Sequence, residues 1–328
     1  MAEGVRRRGA LALRVLVSVA LLGAVLLYAD LGDVADAVRD GHWGWFVAAV
    51  GLMAVAVVLG ALRWWVLLDS AQIEVTAWNA IKPFATSLVL NIILPTAVAG
   101  DAVRSWVVGK KSGRLLGVAA ATVVDKVTAL TCLVGLAWVA VAINSDAVPS
   151  SLIAAFAWLT LGLVAAFCVA ALAAAGVRPV LHRVPERLAV MIRESWAMLR
   201  VWAASAKLVV SLVGLGLAYQ ALAVLSLVLV GKTLGVDLPF AVAAVSAAIV
   251  LVATLIPVSI GGLGIREGGF VLLLGQVGID AAEATLISLL SAGVVLVASA
   301  AVAGITAVYD SLNAGETKAP PVPRRRSA

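Results

Sequence analysis

Long apolar runs alternate with short charged connectors along this chain. Uninterrupted stretches at about 11–29, 44–68, 115–143, 151–175, 207–231 and 283–308 are each long enough to cross about 30 Å of hydrocarbon as helix. Two further regions, 78–110 and 240–278, break this pattern. Each has an apolar leg ending at a proline, then a glycine-bearing bend, then a shorter second leg. The pattern predicts an all-α polytopic membrane protein with six long spans plus two re-entrant or broken helical hairpins, with eight spans as the other reading.

The two bends carry the same spacing. Pro95, Gly100 and Arg104 lie in LPTAVAGDAVR, and Pro257, Gly262 and Arg266 lie in IPVSIGGLGIR, 162 residues later. A shift of 162 also lays run 44–68 on 207–231 and run 115–143 on the last run. With three crossings between the starts of the two halves, the repeats, about 44–175 and 207–308, are expected to be inverted. Inverted repeats with broken helices characterise many alternating-access transporters.

Composition agrees with a membrane protein. Residues are 63% hydrophobic and 13% charged, with a mean hydropathy of +1.11, whereas a soluble domain is about a quarter charged. The net charge of +6 is spread over connectors and tails, so nucleic-acid binding has no support. The charge bias of the connectors orients the chain. Arg6, Arg7 and Arg8, then Lys82, Lys110, Lys111 and Arg114, then Arg324, Arg325 and Arg326 mark the cytoplasmic side. Both termini are placed there, in a plasma or inner membrane. The domain reading is a cytoplasmic arm at 1–10, a transmembrane unit at 11–310 and a disordered cytoplasmic tail at 311–328. The arginine-rich, amphipathic segment 176–206 joins the halves at the membrane surface.

Charges inside apolar runs direct attention to function. Arg104 and Arg266, beside helix starts, offer guanidinium forks suited to phosphate oxygens. The competing reading is that each pairs with its neighbour, Asp101 or Glu267, and only shapes the hairpin. Asp101 could cap the helix after its bend or touch a cationic or hydroxylated head group. Asp125 and Lys126 lie within the third run and diverge by about 100° on a helix, so they cannot simply pair together. Asp125 is expected to face inward toward Arg104. Asn91 could satisfy carbonyls freed at the first break, and Pro95, Gly100, Pro257, Gly261, Gly262 and Gly264 form the bends. Gly262 and Gly264 do not begin a nucleotide loop, because Glu267 holds the third glycine place. His42 and His182 lack companion ligands, so neither a metal nor another cofactor is expected. Cys132 and Cys168 read as small buried hydrophobes.

NIILPTAVAGDAVR followed by LIPVSIGGLGIRE resembles the transmembrane domain of the lysylphosphatidylglycerol synthase family, over about 11–310. That domain also occurs as stand-alone membrane proteins. The resemblance implies flipping of aminoacylated phosphatidylglycerol, with Asn91, Pro95, Gly100, Asp101, Arg104, Pro257, Gly261, Gly262, Gly264, Arg266 and Glu267 carrying the family pattern. Ala99 stands where a second glycine is usual, and Asp125–Lys126 where Glu–Arg is usual. The short tail leaves no room for the family's soluble aminoacyl-transfer domain, so no enzyme is expected. The expected function is a flippase or scramblase for a phosphate-bearing lipid such as an aminoacylated phosphatidylglycerol or a lipid-linked glycan, partnered at most by a separate lipid-modifying enzyme. The alternatives are a non-transporting scaffold for such an enzyme and a lipid-carrier-dependent transferase. The sequence sets no oligomeric state.

Overall fold

The computed structural model describes residues 41–94, 98–176, 205–255 and 262–316, with isolated positions 39, 96, 190, 195, 196 and 200. The first expected span, the arm, most of the surface segment, the tail beyond Glu316 and the bend residues Pro95, Pro257 and Gly261 lie outside the described residues; residues 311–316, expected to be disordered, continue the last helix instead. Within them the chain is helical. In order come α1 (Trp43–Ser70), α2 (Ala77–Ile93), α3 (Ala99–Ser112), α4 (Leu115–Ile143), α5 (Ser150–Gly176), α6 (Ala206–Thr233), α7 (Phe240–Leu255), α8 (Ile265–Leu274) and α9 (Ala281–Glu316). Five of these, α1, α4, α5, α6 and α9, are long and apolar enough to cross a membrane. They coincide with five of the six runs expected to span.

The other four helices make up the two interrupted regions. At 17, 14, 16 and 10 residues, α2, α3, α7 and α8 are only about 15–25 Å long, short of the full hydrocarbon thickness. Their ends have local causes. Thr76 caps α2 by accepting the Asn79 amide. Helix α3 has Asp101 in its first turn and Lys110 and Lys111 in its last, matching the helix dipole, and stops at Gly113 in the left-handed conformation.

The packing partners of the two halves exchange under the 162-residue shift. That shift carries α1, α2, α3 and α4 onto α6, α7, α8 and α9. Helix α1 packs along α6; α2 packs on α9 while α4 packs on α7; α1 packs on α9 while α4 packs on α6. Helices α1 and α6 run in opposite directions. The His42 amide donates to Thr233 O at one end (2.8 Å), Ser226 Oγ donates to Ala49 O further along (3.1 Å), and Arg63 lies over the Tyr219 ring near the other end. Trp64, Leu67 and Leu68 of α1 and Val228 and Val230 of α6 are buried. Helix α5 packs through buried Leu152 and Phe156, the latter against the Trp138 ring, and Trp138 Nε1 donates to Thr160 Oγ1 at 3.1 Å, while Trp158, Leu161 and Val164 are exposed.

Candidate functional site

Ten residues, about 15 Å, into α4, the chain places a carboxylate at membrane depth. Asp125 is 2% exposed and holds two arginines, one on each oxygen. Arg63 Nε donates to Oδ1 at 2.8 Å, and Arg104 Nη2 donates to Oδ2 at 2.8 Å. Arg104 Nη2 also lies 3.3 Å from Asp101 Oδ1. Lys126, one residue round the helix, turns away from Asp125 and places Nζ 2.7 Å from Asp101 Oδ2. Three cations therefore meet two carboxylates, leaving one formal positive charge in an interior that penalises unpaired charge.

Aromatic faces and hydroxyls hold this cluster in place. The Arg104 guanidinium is sandwiched between the Trp64 and Phe84 rings, 4.7 Å from each centroid, and Arg63 lies 5.4 Å from the Tyr219 centroid. Trp64 Nε1 and Ser105 Oγ both donate to Thr122 Oγ1. Even so, Arg63 Nη1 and Arg104 Nε and Nη1 are buried without a hydrogen-bond partner among the described residues. Buried donors left in this condition are rare and call for an explanation.

Two cavities border the cluster on opposite sides of α3. A cavity of about 740 Å³ lies among α2, α3 and the end of α9; Arg104 and Ser87 line it together with Lys82, Lys111, Trp78 and Asp310. A groove of about 440 Å³ lies between α3 and α4, with Asp101 and Lys126 in its lining. The Arg104–Asp101 contact thus spans the wall between them.

The second motif builds a smaller, self-contained cluster. Glu267 is fully buried; its Oε2 accepts the Gly264 amide at 2.5 Å, capping α8. Its Oε1 accepts from Arg266 Nη2 at 2.6 Å, and Arg266 Nε donates to Ser288 Oγ at 3.2 Å. Gly262 and Gly264 adopt φ of 78° and 82° and turn the chain into α8, a conformation that favours glycine.

Several sequence expectations change here. Gly100 is not at a bend but in the first turn of α3, and its requirement is steric: a Cβ there would collide with the Ser87 carbonyl oxygen of α2 and sit 2.8 Å from Asn91 Oδ1. Asn91 does not satisfy freed carbonyls. Its Oδ1 accepts the Gly100 amide at 2.8 Å, because the close approach of α3 brings a donor to it. Asp101 does not cap α3, since it lies inside the helix and its carboxylate is taken by Arg104 and Lys126. The start of α3 and the start of α8 have amides occupied by Asn91 and Glu267 rather than open to an anion. Among the described residues Arg104 and Arg266 have no partner in common, and neither cavity is lined by Arg266. Cys168 is exposed on α5, not buried. The residue missed altogether is Arg63. A lone arginine five positions before the end of the apolar run 44–68 reads as one reaching for the interface, but it is 2% exposed and turned inward.

Fold and site together define a polytopic helical membrane protein with a buried, cation-rich cluster between two cavities. A family model described as lysylphosphatidylglycerol synthase TM region matches residues 11–303, and the chain belongs to that family. No curated protein and no solved structure matches it.

Proposed function

We propose that this chain moves a phosphate-bearing lipid across the bilayer, as a flippase or scramblase, its head group passing Arg104 while the acyl chains stay in the membrane. One observation carries the reading. Arg104 is 2% exposed and lines the larger cavity, yet its Nε and Nη1 have no hydrogen-bond partner among the described residues. A guanidinium with spare N–H donors attracts an anionic phosphate oxygen. The excess positive charge of the cluster is costly while the site is empty and is offset when an anion arrives.

The architecture supports the same reading. Opposed α1 and α6, and packing pairs that exchange between halves, favour inverted repeats in which α2–α3 dips from one leaflet and α7–α8 from the other. The positive connectors Lys82, Lys110, Lys111 and Arg114 support a cytoplasmic mouth for the larger cavity, with both termini on that side of a plasma or inner membrane. In this account Arg63 balances Asp125, and Arg266 with Glu267 holds the second hairpin in shape. Movement is driven by a gradient, a partner or downhill flux, and the protein performs no chemical step on its cargo. Aminoacylated phosphatidylglycerol and lipid-linked glycans are the candidate cargoes.

Reconstitution tests this. In liposomes with a fluorescent phospholipid and an impermeant quencher outside, the protein should raise the quenchable fraction from the outer-leaflet share toward the whole. Quenching equal to that of empty liposomes across several head groups would remove transport.

A further inference from the structure

The two halves place their charges differently. The 162-residue shift lays Ser105 on Glu267, Asp125 on Ile287 and Lys126 on Ser288. In the first half the partners of α3 stand on a neighbouring span. Arg104 pairs with Asp125 at 2.8 Å, Asp101 pairs with Lys126 at 2.7 Å, and Ser105 Oγ donates to Thr122 Oγ1 at 2.8 Å, all three partners lying on α4. In the second half the carboxylate has moved onto α8 itself. Glu267 accepts from Arg266 beside it and from the Gly264 amide at the start of the helix. At the two shifted positions α9 offers only buried Ile287 and the Ser288 hydroxyl. Among the described residues the side-chain hydrogen bonds from α7 and α8 to other helices all meet at that hydroxyl: Arg266 Nε donates to Ser288 Oγ at 3.2 Å, and Ser288 Oγ donates to Glu267 Oε1 at 3.4 Å. Past the end of α8, Gln276 Oε1 accepts from Ser151 Oγ at 2.6 Å, but this contact is exposed.

Helices α7 and α8 hold each other closely. A Cβ on Gly269 would stand 3.0 Å from Val250 Cγ2, and one on Gly262 would stand 2.8 Å from Thr254 Cγ2. Helix α7 packs on α4 and α6, and its buried residues include Ala241, Ala243, Ala244 and Ala248. Such short side chains interlock little, which suits the small sliding of packed helices. Pulling α3 from α4 would strand buried charges on both helices. Moving α7 and α8 together keeps Arg266 with Glu267 and gives up hydrogen bonds to one hydroxyl. We propose that α7 and α8 are the moving half of this protein, shifting as one body when Arg266 lets go of Ser288, while α2 and α3 stay fixed to α4. This inference rests on the reading that the chain moves lipid, and it adds which half moves and which contact is the catch.

The test measures spin-label distances by pulsed electron resonance in the purified full chain in phosphatidylglycerol nanodiscs, with the exposed Cys168→Ser and the buried Cys132 left in place. One pair joins Leu272→Cys on α8 to Val139→Cys on α4, at positions 73% and 56% exposed. The other joins Lys110→Cys on α3, also exposed, to the same Val139→Cys. The α8 pair should show the distance of this structure and a second one, and the α3 pair a single distance. Ser288→Ala should move the α8 populations about tenfold toward the second distance, as expected for loss of one hydrogen bond to a charged group. A single α8 distance in the wild type, or a second α3 distance, would overturn the moving half; an unchanged ratio in folded Ser288→Ala would overturn the catch. Distances that behave as expected in a chain that moves no lipid in liposomes keep this inference and remove transport, and lipid movement beside a single α8 distance does the reverse.

Discussion

Asp125→Asn is the sharpest probe of the charged cluster. The substitution conserves shape but replaces a carboxylate shared by two buried arginines with a neutral amide, one side of which presents hydrogens to a guanidinium. Arg63 and Arg104 are both 2% exposed, so neither can recover the loss by turning to water. Breaking one buried pair costs about 3–5 kcal/mol, and here two cations lose their shared anion, so that range is a floor. The melting temperature in detergent should fall on the order of 10 °C, taking a few degrees per kcal/mol. Adding Arg63→Met removes one orphaned charge and should restore part of the loss, with a coupling of about 0.5–3 kcal/mol. The assay is a melting curve for each corner of the cycle. If Asp125→Asn melts with the wild type, or if Arg63→Met costs the same in both backgrounds, the shared-carboxylate account is wrong.

Other outcomes follow from the same geometry. Gly100→Ala drives a Cβ into the Ser87 carbonyl and should destabilise by about 1–3 kcal/mol or more, whereas Gly135→Ala, mid-helix with open space at its Cβ, should not lower the melting temperature. Gly262→Ala must hold φ at 78° and meet Thr254 Cγ2 at 2.8 Å, costing roughly 1–2 kcal/mol from the backbone alone by the same thermal assay. Glu267→Gln should lower stability less than Asp125→Asn, because the amide can still cap α8 and Arg266 keeps Ser288 and some access to solvent. Lys126→Gln, at a side chain 35% exposed, should change stability by less than about 1 kcal/mol in the same melting assay.

What could be read without coordinates divides by mechanism. Span limits such as Leu115–Ile143 follow from apolar length, which is a local property, and the two interrupted regions follow from their prolines and glycines. The burial of Asp125 beside Arg104 is also local in origin, since a carboxylate in a span has few places to go. The partners that were missed are non-local. Nothing near Arg63 in sequence signals that Asp125, 62 positions away, holds it, and its place near the end of a run suggests escape to the interface. Gly100 looks like bend chemistry until α2 is seen packed against it. The roles of Asn91 and Asp101 invert for the same reason, since each depends on what the neighbouring helix brings within reach.

The most direct test of lipid movement through this site is the translocation rate of Arg104→Ala beside the wild type, in liposomes of equal protein content and with folding checked by melting curve. The account predicts that the wild type equilibrates a fluorescent phospholipid between leaflets and that folded Arg104→Ala leaves it as in empty vesicles. Translocation by Arg104→Ala at the wild-type rate would contradict it.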